Sequence, residues 1–443
     1  MKHSLLLALA LPSLAVAAPP PQGTALDIVE GLTTEIGPRL AGTEAEARAR
    51  DWAVKKLTAL GFKDVRIETF DMPVWVRGAE TAEIISPFPQ KMIVTALGNS
   101  GATPETGVTA SVVAFNSVAA LEEAPEAAVK GKIIFISHRM KATQDGSSYG
   151  FYGGVRRFGP SIASRKGAAA IVIRSVGTDV SRFPHTGVQN WAEGVKPIPA
   201  GALSIADAEN LERMLARGKP VEMKLILTPR NLGKQQSGNV IAEIPGKDPA
   251  AGIVAIGGHL DSWDLGTGAF DDGAGLAITT AAAKGVLASG KTPRRTIRVI
   301  WFGAEEVGIF GGNAYLKAHG SEPHALVAES DFGADRVWRV DFKLPETAKA
   351  LEMRLLRALA PLGIATGTQV AGGGPDLGPT ARAGANAIDL QQDGTRYFDL
   401  HHTPNDTFDK IDPVQLRQNV EAWSIMLDMV ANAPEDLLPA KAK

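Results

Sequence analysis

The feature that most constrains the fold is an apolar strand pattern that passes through an acidic, glycine-rich loop into an alanine-rich helix pattern. The strand pattern covers residues 253–256, the loop 257–275 and the helix pattern 274–288. Strand, loop and helix in this order place the loop at the carboxyl end of a strand. Open α/β sheets bind their ligands at that edge, so we expect the functional site there.

The loop combines one histidine with four carboxylates among several glycines. These five side chains are His259, Asp261, Asp264, Asp271 and Asp272. Glycine lets the backbone bend sharply, but so much negative charge in a short loop is costly without a cation. A solvated acidic turn would explain the aspartates and glycines, but not a histidine at the end of a buried strand. The loop therefore predicts a metal site.

Composition bounds the size and class of the protein. A chain of 443 residues exceeds the usual single domain, so we expect one large domain with an insertion, or two domains. The formal net charge of -2 indicates neither a nucleic-acid partner nor a binding surface for acidic membranes. With no cysteine in the chain, disulfides, thiolate metal ligands and cysteine nucleophiles are excluded.

The first 18 residues have the pattern of a secretory signal peptide. A basic start precedes a short apolar stretch, and the small residues Ala15, Val16 and Ala17 form a cleavage site. The apolar stretch is too short to span a membrane, and no later stretch is long and apolar enough. We therefore predict export to the periplasm or the medium, with no membrane anchor. An exported chain without cysteine fits a bacterial envelope.

The order of strand and helix patterns divides the remaining chain into three segments. Residues 229–443 alternate strand and helix patterns, which predicts a catalytic α/β domain whose sheet lies between helical layers. Residues 108–228 hold short strands and few helices without a dense cluster of ligand-type residues. We interpret this segment as an inserted, mainly β domain, and residues 19–107 as the N-terminal part of the catalytic domain.

Other strand patterns also end in ligand-type side chains. The strand at 296–302 leads into Glu305 and Glu306, which point to opposite sides if extended, so one can bind metal while the other stays free. An acidic helix start would explain either glutamate alone. The strand at 325–329 leads to Asp331, and His401 and His402 precede the last helix. We expect all of them at one edge of the sheet.

The number of acids predicts two metal ions rather than one. Two dications balance three carboxylates and one hydroxide, which leaves a buried site nearly neutral. Imidazole and carboxylate ligands without thiolate suit zinc, with manganese or cobalt as substitutes.

The ordered motifs resemble the co-catalytic di-zinc exopeptidases, the family of bacterial aminopeptidases and glutamate carboxypeptidases. They are His-Leu-Asp at 259–261, Asp-Asp-Gly-Ala-Gly at 271–275, Ala-Glu-Glu-Val-Gly at 304–308, Asp331, and His-Thr-Pro-Asn-Asp-Thr at 402–407. Segments 131–136, 166–173 and 198–200 resemble a protease-associated domain. Within this family, the insertion together with residues 37–42 and 329–331 makes the chain most similar to the plasma type of glutamate carboxypeptidase. The resemblance implies a three-layer αβα zinc-exopeptidase sandwich with that insertion.

The resemblance also implies a role for each matching residue. Metal ligands would be His259 and Asp331 for one zinc, Glu306 and His402 for the other, and Asp271 as the bridge. Glu305 would be the general base, and Asp261 would fix the tautomer of His259. His401 remains the alternative to His402. A cis peptide bond is implied after Asp271.

Three further residues are candidates for substrate contacts. Tyr397 would donate a hydrogen bond to the oxyanion or serve as a core residue. Asp376 would form a wall of the substrate pocket. His185 would reach the site from the insertion or lie on its surface.

We predict a metallo-exopeptidase that hydrolyses short unblocked peptides, as an aminopeptidase or dipeptidase. Carboxypeptidase action is the first alternative, although no cationic pocket for a terminal carboxylate is evident. A single-zinc glutaminyl cyclase is disfavoured by the full set of five ligands. A non-enzymatic binding protein, as in transferrin receptors, is disfavoured by the retained ligands and Glu305. The resemblance also suggests a homodimer.

Overall fold

The computed structural model describes residues 23–438. The signal peptide predicted at residues 1–18 lies outside the described residues. Within the described range, no helix is both long enough and apolar enough to cross a membrane.

The described residues form two eight-stranded sheets. The strands are β1 (Lys63–Val76), β2 (Glu80–Ser86), β3 (Gln90–Met92), β4 (Val94–Ala96), β5 (Val108–Phe115), β6 (Ile133–Ile136), β7 (Ala170–Arg174), β8 (Ala200–Leu203), β9 (Glu222–Leu227), β10 (Arg230–Ile244), β11 (Ile253–His259), β12 (Thr296–Phe302), β13 (His324–Glu329), β14 (Val337–Lys343), β15 (Ala365–Thr366) and β16 (Ala387–Gln392). The α-helices are α1 (Thr24–Gly31), α2 (Glu44–Ala59), α3 (Val118–Glu123), α4 (Glu126–Val129), α5 (Ser147–Tyr152), α6 (Gly154–Arg165), α7 (Ile205–Leu215), α8 (Ala274–Ala288), α9 (Phe310–His319), α10 (Lys349–Leu359), α11 (Gly378–Arg382), α12 (Tyr397–Leu400) and α13 (Pro413–Asn432).

The first sheet brings the predicted site together at one edge. Its order is β1-β10-β12-β11-β13-β16-β14-β15, with β11 parallel to β12 and β13 on either side. In register, His259 lies beside Phe302, and Gly257 beside Glu329. The carboxyl ends of three neighbouring strands therefore coincide, as expected for a ligand-binding edge.

Helices cover both faces of the first sheet. Val254 and Ile256 of β11 pack in the core that contains Trp423 of α13. Ala255, between them, faces the opposite core, which contains Tyr315 of α9. Side chains alternate across a strand, so the two cores lie on opposite faces. The predicted mixed α/β fold with helical layers on both faces of a sheet is confirmed.

The second sheet is built from residues 80–227 and has its own apolar cores. Its order is β3-β2-β9-β5-β6-β7-β8-β4, in which β5 to β8 are parallel neighbours. Strands β2 to β4 pair within it, so the sheet starts near residue 80 and not at the predicted boundary of 108. The earlier start was missed because Pro87 and Pro89 separate β2 from β3, and β3 and β4 have only three residues each.

Loops of the second sheet reach the carboxyl edge of the first. The amide of Thr178 donates a hydrogen bond to the Phe398 carbonyl at 3.1 Å, and its hydroxyl donates to Asp399 at 2.6 Å. Arg77 pairs through two nitrogens with Asp264, each at 2.8 Å. Residues of both sheets therefore surround the candidate site.

Candidate metal centre

Asp271 lies between two histidines that come from distant parts of the chain. Its Oδ1 is 3.0 Å from Nε2 of His259, and its Oδ2 is 3.4 Å from Nε2 of His402. The peptide bond that follows it, Asp271-Asp272, is cis. One carboxylate thus faces both histidines, which is the arrangement that a bridging ligand requires.

Each histidine has a further carboxylate beside it. Nε2 of His259 is 3.5 Å from Oδ1 of Asp331, and Nε2 of His402 is 2.8 Å from Oε2 of Glu306. The five predicted ligands therefore lie together around Asp271, and the ligand atoms of His259, Asp271 and Glu306 lie within 4.8 Å of one another. Nitrogen and oxygen donors in such a group could hold a metal ion.

Both histidines direct Nε2 into the site in the same way. Nδ1 of His259 lies 2.9 Å from the carbonyl oxygen of Asp261, and Nδ1 of His402 lies 3.3 Å from that of Thr186. A carbonyl only accepts hydrogen bonds, so Nδ1 is the donor and Nε2 keeps its lone pair for a metal ion.

The geometry favours His402 over His401 as a ligand. Nε2 of His401 is 3.8 Å from Asp271, and the two rings stack with centroids 3.4 Å apart. Burial lowers the pKa of His402 well below its usual value, and the neighbouring His401 adds to the effect. The neutral imidazole that results is the form that binds metals.

The predicted contact between the Asp261 carboxylate and His259 is not the one that the structure shows. Its backbone carbonyl, not its carboxylate, accepts from His259, since the nearer carboxylate oxygen is 3.7 Å away. The carboxylate instead accepts hydrogen bonds from the amides of Glu305 at 3.0 Å and Glu306 at 3.3 Å. Asp261 therefore connects the loop after β11 to the loop after β12.

Glu305 and Glu306 differ in burial and direction, as expected, but they lie in a turn and not in an extended segment. Glu306 is 5% exposed and points to His402, whereas Glu305 is only partly buried. None of the residues that the structure describes donates a hydrogen bond to the Glu305 carboxylate. Burial raises its pKa well above the usual range, and Asp331 and Asp261 add to the shift. It is thus a free carboxylate beside the cluster.

The centre carries unbalanced negative charge that fits divalent cations. Burial and neighbouring carboxylates raise the pKa of Glu306 and of Asp331. Within the described part of the chain, Oδ2 of Asp271 and Oε1 of Glu306 are buried and accept no hydrogen bond. Buried oxygens of this kind are rare in proteins unless an ion or water satisfies them. Nitrogen and oxygen donors without sulfur suit zinc.

Two carboxylates near the ligands have structural tasks. Asp406 accepts hydrogen bonds from the amides of Phe270 at 2.6 Å and Asp271 at 3.2 Å, so it fixes the backbone of Asp271. Asp272 accepts from the amides of His259 at 3.0 Å and Gly275 at 3.1 Å. The sequence motif contained Asp406, but its spacing did not reveal this contact.

Arg39 is a supporting residue that the sequence interpretation missed. Its guanidinium is fully buried and donates to the carbonyls of Leu260, Thr267 and Gly268. One side chain thus ties together both ends of the loop between His259 and Asp271. The signal was the Gly-Pro-Arg-Leu-Ala-Gly stretch at 37–42, which the resemblance included without assigning a task.

Tyr397 lies beside the carboxylates but is packed as a core residue. Its ring is 4% exposed and stacks on Phe332 with centroids 4.6 Å apart. Burial raises its pKa well above the usual value, and Asp271 and Asp331 contribute. The hydroxyl therefore remains protonated and can act only as a hydrogen-bond donor or acceptor.

Asp376 is not the wall of an open pocket. It is fully buried, and its carboxylate accepts a hydrogen bond from the Gly312 amide at 2.9 Å. Its own amide donates to Oε2 of Glu329 at 2.8 Å. It supports the loops behind Glu305, which the sequence could not show because both partners are distant in the chain.

His185 does come from the second sheet to the site, but not as a substrate contact. It is 1% exposed, and its Nδ1 lies 2.7 Å from the carbonyl oxygen of His401. The expectation of a surface residue is therefore wrong.

Comparisons with known proteins agree with these features. Residues 239–426 match the sequence profile of peptidase family M28. Carboxypeptidase Q of Bos taurus is 33% identical over 413 residues, which cover 92% of this chain and 85% of that protein.

Solved structures show the same relationship. The Peptidase M28 precursor from Shewanella amazonensis SB2B superposes with a TM-score of 0.92 at 46% identity, covering 95% of this chain and 96% of that one. BSAP, a zinc aminopeptidase from Bacillus subtilis, shares the fold with a TM-score of 0.67 at 20% identity over 95% of this chain and 96% of that one. These findings confirm the family predicted from the motifs. The chain therefore belongs to peptidase family M28 and is a metallopeptidase, a hydrolase of peptide bonds.

Proposed function

We propose that this protein is a di-zinc exopeptidase that removes residues from short peptides with a free amino end. The observation that carries the proposal is Asp271 between His259 and His402, with a second carboxylate beside each histidine. His259 and Asp331 would hold one ion, Glu306 and His402 would hold the other, and Asp271 would be the ligand shared by both. Manganese or cobalt would be accepted by the same donors.

Zinc ions bound by these ligands would supply Lewis acidity, which polarises a peptide carbonyl and lowers the pKa of a water molecule. The chain supplies the proton transfers. Glu305 takes a proton from the attacking water onto a carboxylate oxygen and gives it to the leaving amide nitrogen. The Asp261 carboxylate holds the amides of Glu305 and Glu306, so base and ligand keep a fixed relation. The Tyr397 hydroxyl is the candidate donor to the oxyanion.

The charge of the site favours the amino end of a substrate. Two dications and a hydroxide would balance the three ligand carboxylates, but the carboxylates of Glu305 and Asp261 lie beside them, and an ammonium group is attracted to this additional negative charge. Two of the nearby arginines that could bind a terminal carboxylate are already engaged, whereas Arg157 lies over the Tyr149 ring, 5.2 Å from its centroid. Arg39 donates to backbone carbonyls, and Arg77 pairs with Asp264 and Glu80.

Carboxypeptidase action remains the alternative, and the observation that favours it is the likeness to carboxypeptidase Q. The two activities differ in which terminus must be free. The five-ligand arrangement gives no support to a single-zinc cyclase, and the free Glu305 carboxylate gives none to a purely binding role.

Several further features belong to the same proposal. The region of the second sheet is a protease-associated insertion whose start lies near residue 80, and the catalytic domain comprises the first sheet and its helices. The protein is exported through the signal at residues 1–18, acts in the periplasm or medium and forms a homodimer.

A dipeptide panel tests the proposal. Free dipeptides, amino-blocked dipeptides and carboxyl-blocked dipeptides are incubated with the protein, with and without a chelator. We expect hydrolysis of the free and carboxyl-blocked peptides, none of the amino-blocked ones and none with chelator. Hydrolysis that needs only a free carboxyl end would establish the carboxypeptidase alternative. Activity that survives complete metal removal would refute both.

A further inference from the structure

A loop of the second sheet, residues 177–187, lies directly behind the two histidines of the metal centre. The Thr186 amide donates to the carbonyl oxygen of His402 at 3.1 Å, while Nδ1 of His402 lies 3.3 Å from the carbonyl oxygen of Thr186. This reciprocal pair fixes both the backbone and the ring of His402. Its Nε2 is left facing Glu306 and Asp271.

The same loop holds the preceding residue through a buried histidine. Nδ1 of His185 lies 2.7 Å from the carbonyl oxygen of His401, and Nε2 lies 2.8 Å from Oδ1 of Asp179. Asp179 is held in turn by the Ser181 amide, which donates to its Oδ2 at 2.8 Å. A continuous series of contacts therefore runs from Asp179 through His185 to the backbone before His402.

The backbone of His402 needs such support. Its φ is +62°, in the left-handed region that residues other than glycine rarely adopt. Conformations of this kind persist only where neighbouring groups determine them. His185 and Thr186 bind the two consecutive carbonyls, those of His401 and His402, on either side of this unusual torsion.

Two glycines leave space for the rings. A Cβ atom at Gly177 would lie 2.2 Å from Nε2 of His185, and one at Gly187 would lie 2.7 Å from Nδ1 of His402. Any side chain at either position would displace a ring. The loop is thus shaped around both histidines.

We propose that Asp179 and His185 are positioning residues for the peptidase reaction, which hold the His401-His402 backbone so that His402 can bind its zinc ion. The inference rests on the proposed function, because it needs His402 to be a ligand. The zinc affinity of the Glu306-His402 site then depends on these two residues of the second sheet. Among the described residues, no hydrogen bond or ion pair joins His259 or Asp331 to this loop.

Two substitutions separate the contacts of His185. His185→Asn places its amide nitrogen near the former Nδ1 and keeps a donor to the His401 carbonyl. His185→Gln places its amide near the former Nε2 and loses that donor. Loss of such an outer contact lowers metal affinity by about 10–100-fold. We expect His185→Gln to lower the binding affinity for one of the two zinc ions by this factor, whereas His185→Asn should retain most of the wild-type affinity. Asp179→Ala should lower the affinity for the same ion by a smaller factor, because His185 keeps its direct contact with the His401 carbonyl.

The readout is zinc affinity, measured by competition with a chromophoric chelator, together with the absorption spectrum of the cobalt-substituted protein. His319→Gln is the matched control, since His319 is also buried and has partners on both nitrogens, Glu322 and Glu68, each at 2.7 Å. It should leave both zinc affinities unchanged.

Three results would overturn the inference. The first is an equal loss of affinity for both zinc ions in His185→Gln. The second is a lower melting temperature of His185→Gln with unchanged zinc affinities. The third is a loss of zinc affinity in His185→Asn as large as that in His185→Gln. If the wild-type protein hydrolyses dipeptides in the presence of zinc and any of these is found, the inference alone fails. If the wild-type protein binds no zinc, the proposed function fails and the inference with it.

Discussion

Glu305→Gln should abolish most of the activity without loss of zinc or of stability. The substitution removes the proton acceptor but keeps the shape of the side chain. Within the described residues, no group donates to the Glu305 carboxylate, so no hydrogen bond is broken. Burial and the charges of Asp331 and Asp261 raise the pKa of Glu305, which means that its ionised form is disfavoured in the metal-free protein. A neutral amide relieves this repulsion.

The expected magnitude follows from the loss of general-base catalysis. A positioned base contributes about 10²–10⁴-fold to the rate. At 1.36 kcal/mol for each factor of ten, this corresponds to roughly 3–5 kcal/mol of transition-state stabilisation. The loss should fall on kcat, because Glu305 acts on the proton of the attacking water and not on substrate affinity.

The assay compares Glu305→Gln with Glu306→Gln, its neighbour in sequence. Dipeptide hydrolysis, zinc content after dialysis and melting temperature are measured for both proteins. Glu306→Gln should lose zinc, since Glu306 lies 2.8 Å from His402 in the ligand cluster. Glu305→Gln should keep both ions and at least the melting temperature of the wild type. The reasoning is refuted if Glu305→Gln retains full kcat, or if it loses zinc as Glu306→Gln does.

Three further predictions concern the groups that support the centre. Asp406→Asn places an NH2 group against one of the two backbone amides of Phe270 and Asp271. Zinc affinity, measured by chelator competition, should therefore fall about 10–100-fold. An unchanged affinity would show that Asp406 does not position Asp271. In Arg39→Lys, the lysine cannot replace a guanidinium that donates to three carbonyls. Denaturant titration should therefore show a loss of roughly 1–3 kcal/mol in the free energy of unfolding. An unchanged free energy of unfolding would show that the loop does not need Arg39. In the metal-free protein, burial and Asp271 raise the pKa of Asp406 to about 7, so at this group the folded state binds more protons than the unfolded state. The contribution of Asp406 to the free energy of unfolding should therefore fall as the pH rises from about 4 to about 7, which is measured as the difference between the wild type and Asp406→Asn. A contribution that grows with rising pH would contradict the electrostatic account.

The sequence predicted the strand edge well because its signals were local. The apolar strands that precede His259, Glu305 and Asp331 fixed the order of the elements, and parallel pairing then brought their ends together. The long helix α8 was also evident from its alanine-rich pattern, which the structure buries on nearly all sides.

The supporting contacts were not predictable, because they depend on long-range packing. His185 and His401 are 216 positions apart, and Arg39 and Leu260 are 221 apart. A lone histidine or arginine carries no pattern that reveals such a partner. The early start of the second sheet was hidden for a related reason, since β3 and β4 have only three residues each and gain their stability from strands far along the chain.

The edge of the first sheet shows a third kind of limit. Strand β14 alternates apolar residues (Trp338, Val340, Phe342) with polar ones (Arg339, Asp341, Lys343), yet it closely follows the loop of Asp331 and was not predicted. It runs antiparallel to β16, whereas the strands at the centre of the sheet are parallel. The alternation of strands and helices used for prediction does not anticipate such an edge.

The most direct test of the account is a crystal structure with diffraction recorded at the zinc absorption edge. We expect two anomalous peaks, about 3.5–4 Å apart, with the Asp271 carboxylate between them. His259 and Asp331 should contact one peak, and Glu306 and His402 the other. A single peak, or a pair of peaks that Asp271 does not join, would contradict the account.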